Sequence, residues 1–363
     1  MSVANTQLKI ATFNLFNYLA PPNAYYDFDR IYSAEQWQKK QDWVTEYLRE
    51  YQPDIIGFQE VFSAKSLKEL VALQGYDYFE VVDQPEVMDD FIYTQPVVAI
   101  ASRFPIVDIH SVKPNTELVQ TLGLTDDFSF SRKVLRATID VPHAGNCDCY
   151  VAHFKSKRPM IEIDKQDTNR SPEQTIIESL KADVAGGWGS TIRRGSEATL
   201  LMIDMLERRE RSGYPMVLMG DFNNTLADGV LSHLLTSTLR FVSKMDSEAY
   251  LAKYCLNDVW DLYQRAPHYE ADEMYDPNEV DDADLEINQN KKVVRSPTHY
   301  FGGRGSVLDY ILLSCEFDTS YQDSLFEVSA YHTYNRHLIN PIFERDGEST
   351  DHGIVTVTLT LRS

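Results

Sequence analysis

The chain has 363 residues, 43% of them hydrophobic and 25% charged, and 55 Asp and Glu against 34 Lys and Arg leave a net charge of −21. This length and apolar fraction exclude a disordered or fibrous chain and suit a globular protein with a large core. The acidic balance argues against a tight, nonspecific binder of duplex DNA, because such binding draws on a basic surface.

Met1 to Gln7 lacks a basic region followed by an apolar segment, so no signal peptide is visible, and no apolar stretch reaches transmembrane length. Leu8 to Phe13 reads as a buried strand that ends at Asn14, before a loop rich in Pro, Asn and Tyr. Ser33 with Gln36 three residues on predicts a capping box, opening a helix with Trp37, Val44, Tyr47, Leu48 and Tyr51 on one face. Gln52-Pro53-Asp54 stops that helix, and Ile55 to Phe58 forms a short strand ending at Gln59 and Glu60. Ala64 to Leu73 is a second helix. Tyr76 to Val82 and Val97 to Ser102 are strands, and Val134 to Val141 pairs with Cys149 to His153 through a hairpin turn at Gly145-Asn146. Residues 159–195 read as a polar insertion. In it Ser171-Pro172-Glu173-Gln174 starts a helix and Gly186, Gly187 and Gly189 end the segment. A separate helix from Ser196 to Arg211 precedes the strand Met216 to Met219, which ends at Gly220-Asp221. A second insertion spans about 264–297. Within it residues 270–286 hold nine acidic side chains and no basic one, the composition of a solvated loop. Val307 to Leu313 is a strand containing Asp309, and Asp351-His352 precede the last strand, Ile354 to Leu361.

This alternation of strands and helices predicts an α/β protein with mixed sheets, organised as one domain over 7–362. Cys147, Cys149, Cys255 and Cys315 show no zinc-site spacing, so free thiols in a reducing compartment are expected. The cytoplasm follows as the expected location, with secretion as the alternative.

The chemistry gathers where apolar runs stop. Glu60 directly follows a four-residue buried strand, a place with few structural uses for a carboxylate. It is the chief candidate ligand for a hard divalent cation, with Asn14 and Asp351 beside it. Asp221 and Asn223 stand two apart, so in an extended stretch both point to one side. Asp221 can then activate water and Asn223 hold a phosphoryl oxygen, although the same residues suit an Asx turn. Asp309 and His352 read as a carboxylate–imidazole pair that keeps the imidazole charged. His153 is a further donor, and Arg103, Arg132 and Lys155 are candidate phosphate contacts, as are Arg193 and Arg194. No Gly-rich phosphate loop and no nucleophile elbow is visible, which favours direct attack by water.

The segments ATFNLFN, DIIGFQEVF, ASRFPI, YVAHFKSKRP, MVLMGDFNN, SVLDYILLS and STDHGIV stand in order across residues 8–361. The ordered set resembles the endonuclease/exonuclease/phosphatase superfamily, which includes deoxyribonuclease I-like nucleases, apurinic-site endonucleases, inositol polyphosphate 5-phosphatases and bacterial sphingomyelinases. The resemblance implies a four-layer α/β/β/α sandwich of two mixed β-sheets flanked by helices. It also implies a Mg2+ or Mn2+ site, with Ca2+ as an alternative metal. By the same resemblance Glu60 is the metal ligand, with Asn14 and Asp351 near it; Asp221 and Asn223 activate water and orient phosphate; Asp309 and His352 form the transition-state pair. His153 matches the second histidine of the deoxyribonuclease I and phosphatase branches.

The expected function is phosphodiester hydrolysis of a nuclease-like kind. A phosphatase or phosphodiesterase acting on a small phosphorylated metabolite or lipid headgroup is the alternative, and a non-catalytic binding module the third. The expected partner is a phosphate-ester substrate, nucleic acid or small molecule; no protein partner can be inferred.

Overall fold

Runs of Ile, Val, Leu and Phe pair into two large mixed sheets in a computed structural model that describes residues 6–161, 171–235, 250–266 and 294–362. The strands that build them are β1 (Gln7–Tyr18), β2 (Ile55–Val61), β3 (Tyr78–Val81), β4 (Val97–Ser102), β5 (Ile106–Ser111), β6 (Leu135–Val141), β7 (Gly145–His153), β8 (Met216–Asp221), β9 (Asn257–Asp258), β10 (Asp309–Leu313), β11 (Phe326–Tyr334) and β12 (Ile354–Leu361). The first sheet runs β11-β12-β1-β2-β4-β3 and the second β9-β10-β8-β7-β6-β5. Each has one parallel pair near its centre, β1 with β2 and β7 with β8, and antiparallel neighbours elsewhere.

The layers follow from which face each side chain takes. Leu8 and Ile10 of β1 enter the core between the sheets, with Ile55, Ile100, Val151, Val217 and Ile311. Ala11, Phe13 and Leu15, one step out of phase, face the other way and pack on Trp43, Val44, Tyr47 and Leu48. Those four lie on helix α1 (Ala34–Tyr51), and α2 (Ala64–Ala72) adds Leu67, Leu70 and Val71 to the same outer layer. On the far side, Leu218 and Tyr150 meet Ala198, Leu201 and Met205 of helix α3 (Pro172–Ser212). Helix, sheet, sheet, helix is the expected four-layer sandwich. Because both faces of the central strands are covered, they read as continuous apolar runs. Each such aliphatic side chain stabilises the fold by roughly 1.5–3 kcal/mol on full burial.

Local signals hold at the helix starts. The Ser33–Gln36 capping box forms in both directions, at 3.1 Å and 2.9 Å, and Ser171 with Gln174 forms a second. Other expectations are corrected. The 159–195 insertion and the helix from Ser196 are not separate: α3 is one helix of 41 residues, and Gly186, Gly187 and Gly189 lie inside it. Gly186 serves close packing instead of termination. A Cβ there would stand 2.8 Å from Ile161 N and Pro159 Cβ, and its carbonyl accepts a hydrogen bond from Met160 N at 3.1 Å. The hairpin between β6 and β7 turns at residues 142–144, with Gly145 already paired to Val141. The acidic 270–286 segment and most of the second insertion lie outside the described residues. Among the described residues no helix is long and apolar enough to cross a membrane.

Candidate active site

The two parallel pairs end at the same rim, and strand register sets what they deliver there. In the second sheet His153 is paired with Asp221, and Asp221 in turn with Asp309. In the first sheet Asn14 is paired with Gln59, after which the ladder breaks and resumes at Tyr18 with Val61. Three residues of β1 thus face one residue of β2, Glu60. Phe16, Asn17 and Glu60 take positive φ values of 51°, 56° and 60°, a left-handed conformation rare for non-glycine residues. The strands therefore do not stop at Asn14 and Glu60, as the sequence suggests; they continue through a bulge that redirects side chains. Asn17 N donates to Glu60 Oε2 at 3.0 Å and Phe16 N to Asn14 Oδ1 at 3.0 Å, which fixes both groups on the bulge.

A polar chain then crosses between the sheets. Asn14 Nδ2 donates to Asp221 Oδ2 at 3.1 Å. That oxygen lies 3.4 Å from His153 Nε2 and 3.8 Å from His352 Nε2. His352 Nδ1 meets Asp309 Oδ2 at 2.8 Å, while Asp309 Oδ1 is buried with no partner among the described residues. Asp351 Oδ1 is 3.9 Å from His352 Nε2. Gly220, before Asp221, adopts φ 150°, and a Cβ there would stand 1.8 Å from Ala152 O, so only glycine lets β7 and β8 approach this closely.

Asn223 reaches the site by another route than alternation along an extended strand. It takes φ 53°, its N–H donates to Asp221 Oδ1 at 2.8 Å, and its Nδ2 donates to Asp221 Oδ2 at 3.2 Å and Phe154 O at 3.0 Å. The Asx turn and the convergence of the two side chains are one feature, since the turn brings them together.

Electrostatics separate the roles. Burial pushes the Asp221 carboxyl up to about 7; His352 opposes this while Asp309 and Glu60 add to it. Burial also holds Glu60 above the usual carboxylate range, with Asp351 contributing. For His352 burial disfavours the charge, but Asp309 and Asp221 outweigh it and hold the imidazole well above its ordinary value. His153, desolvated and facing Arg132 and His352, is held well below it. One histidine is therefore charged and the other neutral at pH 7.

The donor set suits a hard divalent cation. Four carboxylates, Glu60, Asp221, Asp309 and Asp351, share this rim with Lys40, Arg132 and protonated His352, and burial followed by mutual repulsion among the carboxylates raises Glu60, which a bound cation would relieve. Two triads bring ligating atoms within 4.8 Å of one another: Asp221–Asp309–His352 and His299–Asp351–His352. The first is committed to its own hydrogen bond. Glu60 belongs to neither, and meets Asp351 and His352 through their charges.

Arg132 borders this centre, acting on Glu60 and His153, and Lys155 lies beside Arg132 with its ammonium turned to Ser156 and Arg158. Arg103 does not border it: it follows Ser102, which pairs with Ile55 at the opposite end of β2, five residues or about 16 Å from Glu60 along the strand. There its guanidinium lies 4.5 Å from the Tyr76 ring centroid and donates to Pro53 O at 3.3 Å. Arg194 is buried and donates to Lys155 O at 2.9 Å, a structural use.

Several residues at the rim escaped the sequence reading. Buried Glu197 of α3 accepts from Ser131 N and Lys155 N, each at 2.7 Å, and so ties the loops that carry Arg132 and Lys155. Lys40 donates to Ser349 O at 3.2 Å, and Thr350 Oγ1 bonds Asn14 O at 2.6 Å and accepts from His352 N at 3.1 Å. Buried Thr298 accepts Gly353 N at 2.6 Å and Asp309 N at 3.2 Å, and places His299 5.1 Å from His352, ring to ring. Glu197 did carry a weak signal: a carboxylate one position before the apolar Ala198 on the packed face of a helix. Glu197→Ala leaves two part-buried N–H groups without this acceptor and is expected to cost roughly 1–3 kcal/mol. Urea denaturation checks this, and an unchanged midpoint would show the two loops to be held by other contacts.

A model of the endonuclease/exonuclease/phosphatase family matches residues 11–320. No curated protein matches the sequence. Among solved structures, an endonuclease/exonuclease/phosphatase from Beutenbergia cavernae is similar at 17% identity and TM-score 0.50, over 98% of this chain and 72% of that one. The human Nocturnin catalytic domain, with bound sulfate, is similar at 14% identity and TM-score 0.54, over 98% and 95%. ANGEL2, a 2',3'-cyclic phosphatase, is similar at 10% identity and TM-score 0.54, over 97% and 95%. At these identities the likeness is one of fold.

Proposed function

This chain belongs to the endonuclease/exonuclease/phosphatase family, and from that membership we propose that it is a divalent-metal-dependent phosphodiesterase in which Asp221 activates water. The observation that supports this most is the cluster His153, Asp221, His352 and Asp309, in which a carboxyl near 7 lies within 3.4 Å and 3.8 Å of a neutral and a charged imidazole and the charged one is hydrogen-bonded to Asp309.

Asp221 removes a proton from water as its oxygen attacks phosphorus. Asn14 and Asn223 hold Asp221 by three hydrogen bonds, so its free lone pair has one direction. His352, kept protonated by Asp309, presents Nε2–H to the phosphoryl oxygen whose charge grows in the transition state. His153 supplies a second donor beside it, and Arg132 and Lys155 neutralise the remaining phosphate oxygens. Glu60, Asp351 and Asn14 are the residues that would hold Mg2+ or Mn2+. The metal would supply Lewis-acid stabilisation of the phosphoryl charge. The P–O bond to the leaving group breaks, and the leaving oxygen takes its proton from solvent.

A second reading, a phosphatase or phosphodiesterase on a small phosphorylated compound, is favoured by the net charge of −21, which repels long polyanions. Hydrolysis of plasmid, single-stranded DNA and a phosphomonoester panel, with Mg2+ and with chelator, tests both. Cleavage of DNA that stops on chelation is the expected result; intact DNA beside a hydrolysed monoester would establish the second reading. The four cysteines, all buried, suit a reducing compartment, and we place the protein in the cytoplasm.

A further inference from the structure

Beside Arg132 and Lys155 the rim opens into a cavity of about 720 Å³. That volume falls in the range of small-ligand sites, roughly 300–1,000 Å³. Six of its lining side chains are basic, Lys113, Arg132, Lys133, Lys155, Arg158 and Arg193, against Asp83 and Glu86. The chain as a whole has the reverse balance, 34 basic to 55 acidic residues. A random patch of this surface would be acidic, so the cavity concentrates positive charge where the rest of the protein lacks it.

The cations are held in place by neutral groups as well as acids. Arg193 donates to Ser129 O at 2.7 Å and Ser131 Oγ at 3.1 Å, and Lys155 Nζ donates to Arg158 O at 3.0 Å. Lys133 pairs with Asp83 at 2.6 Å, but neither Lys113 nor Arg158 has an ion-pair partner among the described residues. Mutual repulsion acts on the cluster: burial and then Arg132 hold the Lys155 ammonium below its usual range. An anion entering the cavity relieves that repulsion. Arg132 also acts on Glu60 and His153, so cavity and catalytic centre share a wall.

We propose that this cavity holds a second phosphate of the substrate, so that the protein acts on compounds carrying at least two phosphates, one cut at Asp221 and one held by Lys113, Arg158 and their neighbours. The inference rests on the phosphoesterase reading for which phosphate is cut, and not for whether the cavity binds one. The second phosphate can come from the next nucleotide of a strand or from a small polyphosphorylated compound.

Calorimetry with the full chain at low ionic strength, with chelator present, tests it using inorganic phosphate and tripolyphosphate. Tripolyphosphate is expected to bind at least about tenfold tighter than phosphate. The Lys113→Gln/Arg158→Gln variant, altered at two exposed positions, should lose at least about tenfold in tripolyphosphate affinity and far less for phosphate; Lys133→Gln should add to the loss. Equal affinity for the two probes, or equal losses for both in the variant, overturns the inference. Turnover of a 5'-phosphorylated dinucleotide against a nucleoside triphosphate then identifies the source. If neither is hydrolysed while the tripolyphosphate preference stands, the enzymatic reading fails and the anion site remains.

Discussion

Glu60→Gln is expected to lower kcat/KM for a phosphodiester by at least about 10³-fold, because metal-derived charge stabilisation is worth several kcal/mol and each 1.36 kcal/mol is a factor of ten. The substitution keeps an oxygen for the Asn17 N–H and removes only the negative charge. Stability should move the other way. Burial raises the Glu60 carboxyl in the folded metal-free state, so between the unfolded and folded values the folded protein holds a proton there that the unfolded chain has lost. Ionisation therefore costs stability as pH rises above the unfolded value, and at pH 7 the amide escapes that cost. The variant should melt at or above the wild-type temperature in chelator, and Mg2+ should no longer raise its melting point. Full activity in Glu60→Gln would instead point to a metal held elsewhere, with His299–Asp351–His352 as the alternative triad.

Asp221→Asn should cost about 10²–10⁴ in kcat, the usual range for loss of a general base, with little change in KM. The pH profile distinguishes this from misfolding. Asp221 works as a carboxylate, so the rate should rise with pH as the group, placed at about 7 without metal, loses its proton. Metal loading adds positive charge beside it and should move this acid limb to lower pH. The Asn variant should show residual activity with no such limb. A wild-type profile flat from pH 5 to 9 would remove Asp221 from the role of base. His352 sets the opposite limb: its imidazolium, held by Asp309, is lost at high pH, and activity should fall there.

The sequence made the elements and their contents legible because buried strands leave a strong apolar trace and polar residues at their ends stand out against it. Asn14, Glu60, His153, Asp221, Asn223, Asp309, Asp351 and His352 were all visible in that way, and the structure brings them to one rim. What failed to show was set by space. The bulge at Phe16, Asn17 and Glu60 depends on pairing between strands 43 residues apart, and residue pattern alone cannot reveal a left-handed backbone at Glu60. Gly186 looked like a helix stop because glycine usually is one; its reason lies in residues 159–161 packed against it. Arg103 resembled a phosphate contact until strand register placed it at the far end of β2. Glu197 and Thr298 act through backbone groups of other loops, and such partners leave no mark in composition.

The Asn14–Asp221 and His352–Asp309 hydrogen bonds cross between the sheets at the rim, while mainly apolar side chains fill the space behind them, with the buried Thr12–Gln59 pair among them. Hydrocarbon packing is tolerant of a small lateral slide; the aim of a catalytic base at its water is not, since a displacement of about 1 Å can cost 10²-fold in rate. Turnover is thus a gauge of how the halves of the sandwich are aligned, and a loosened molecule can fall silent while its helices and strands are still intact.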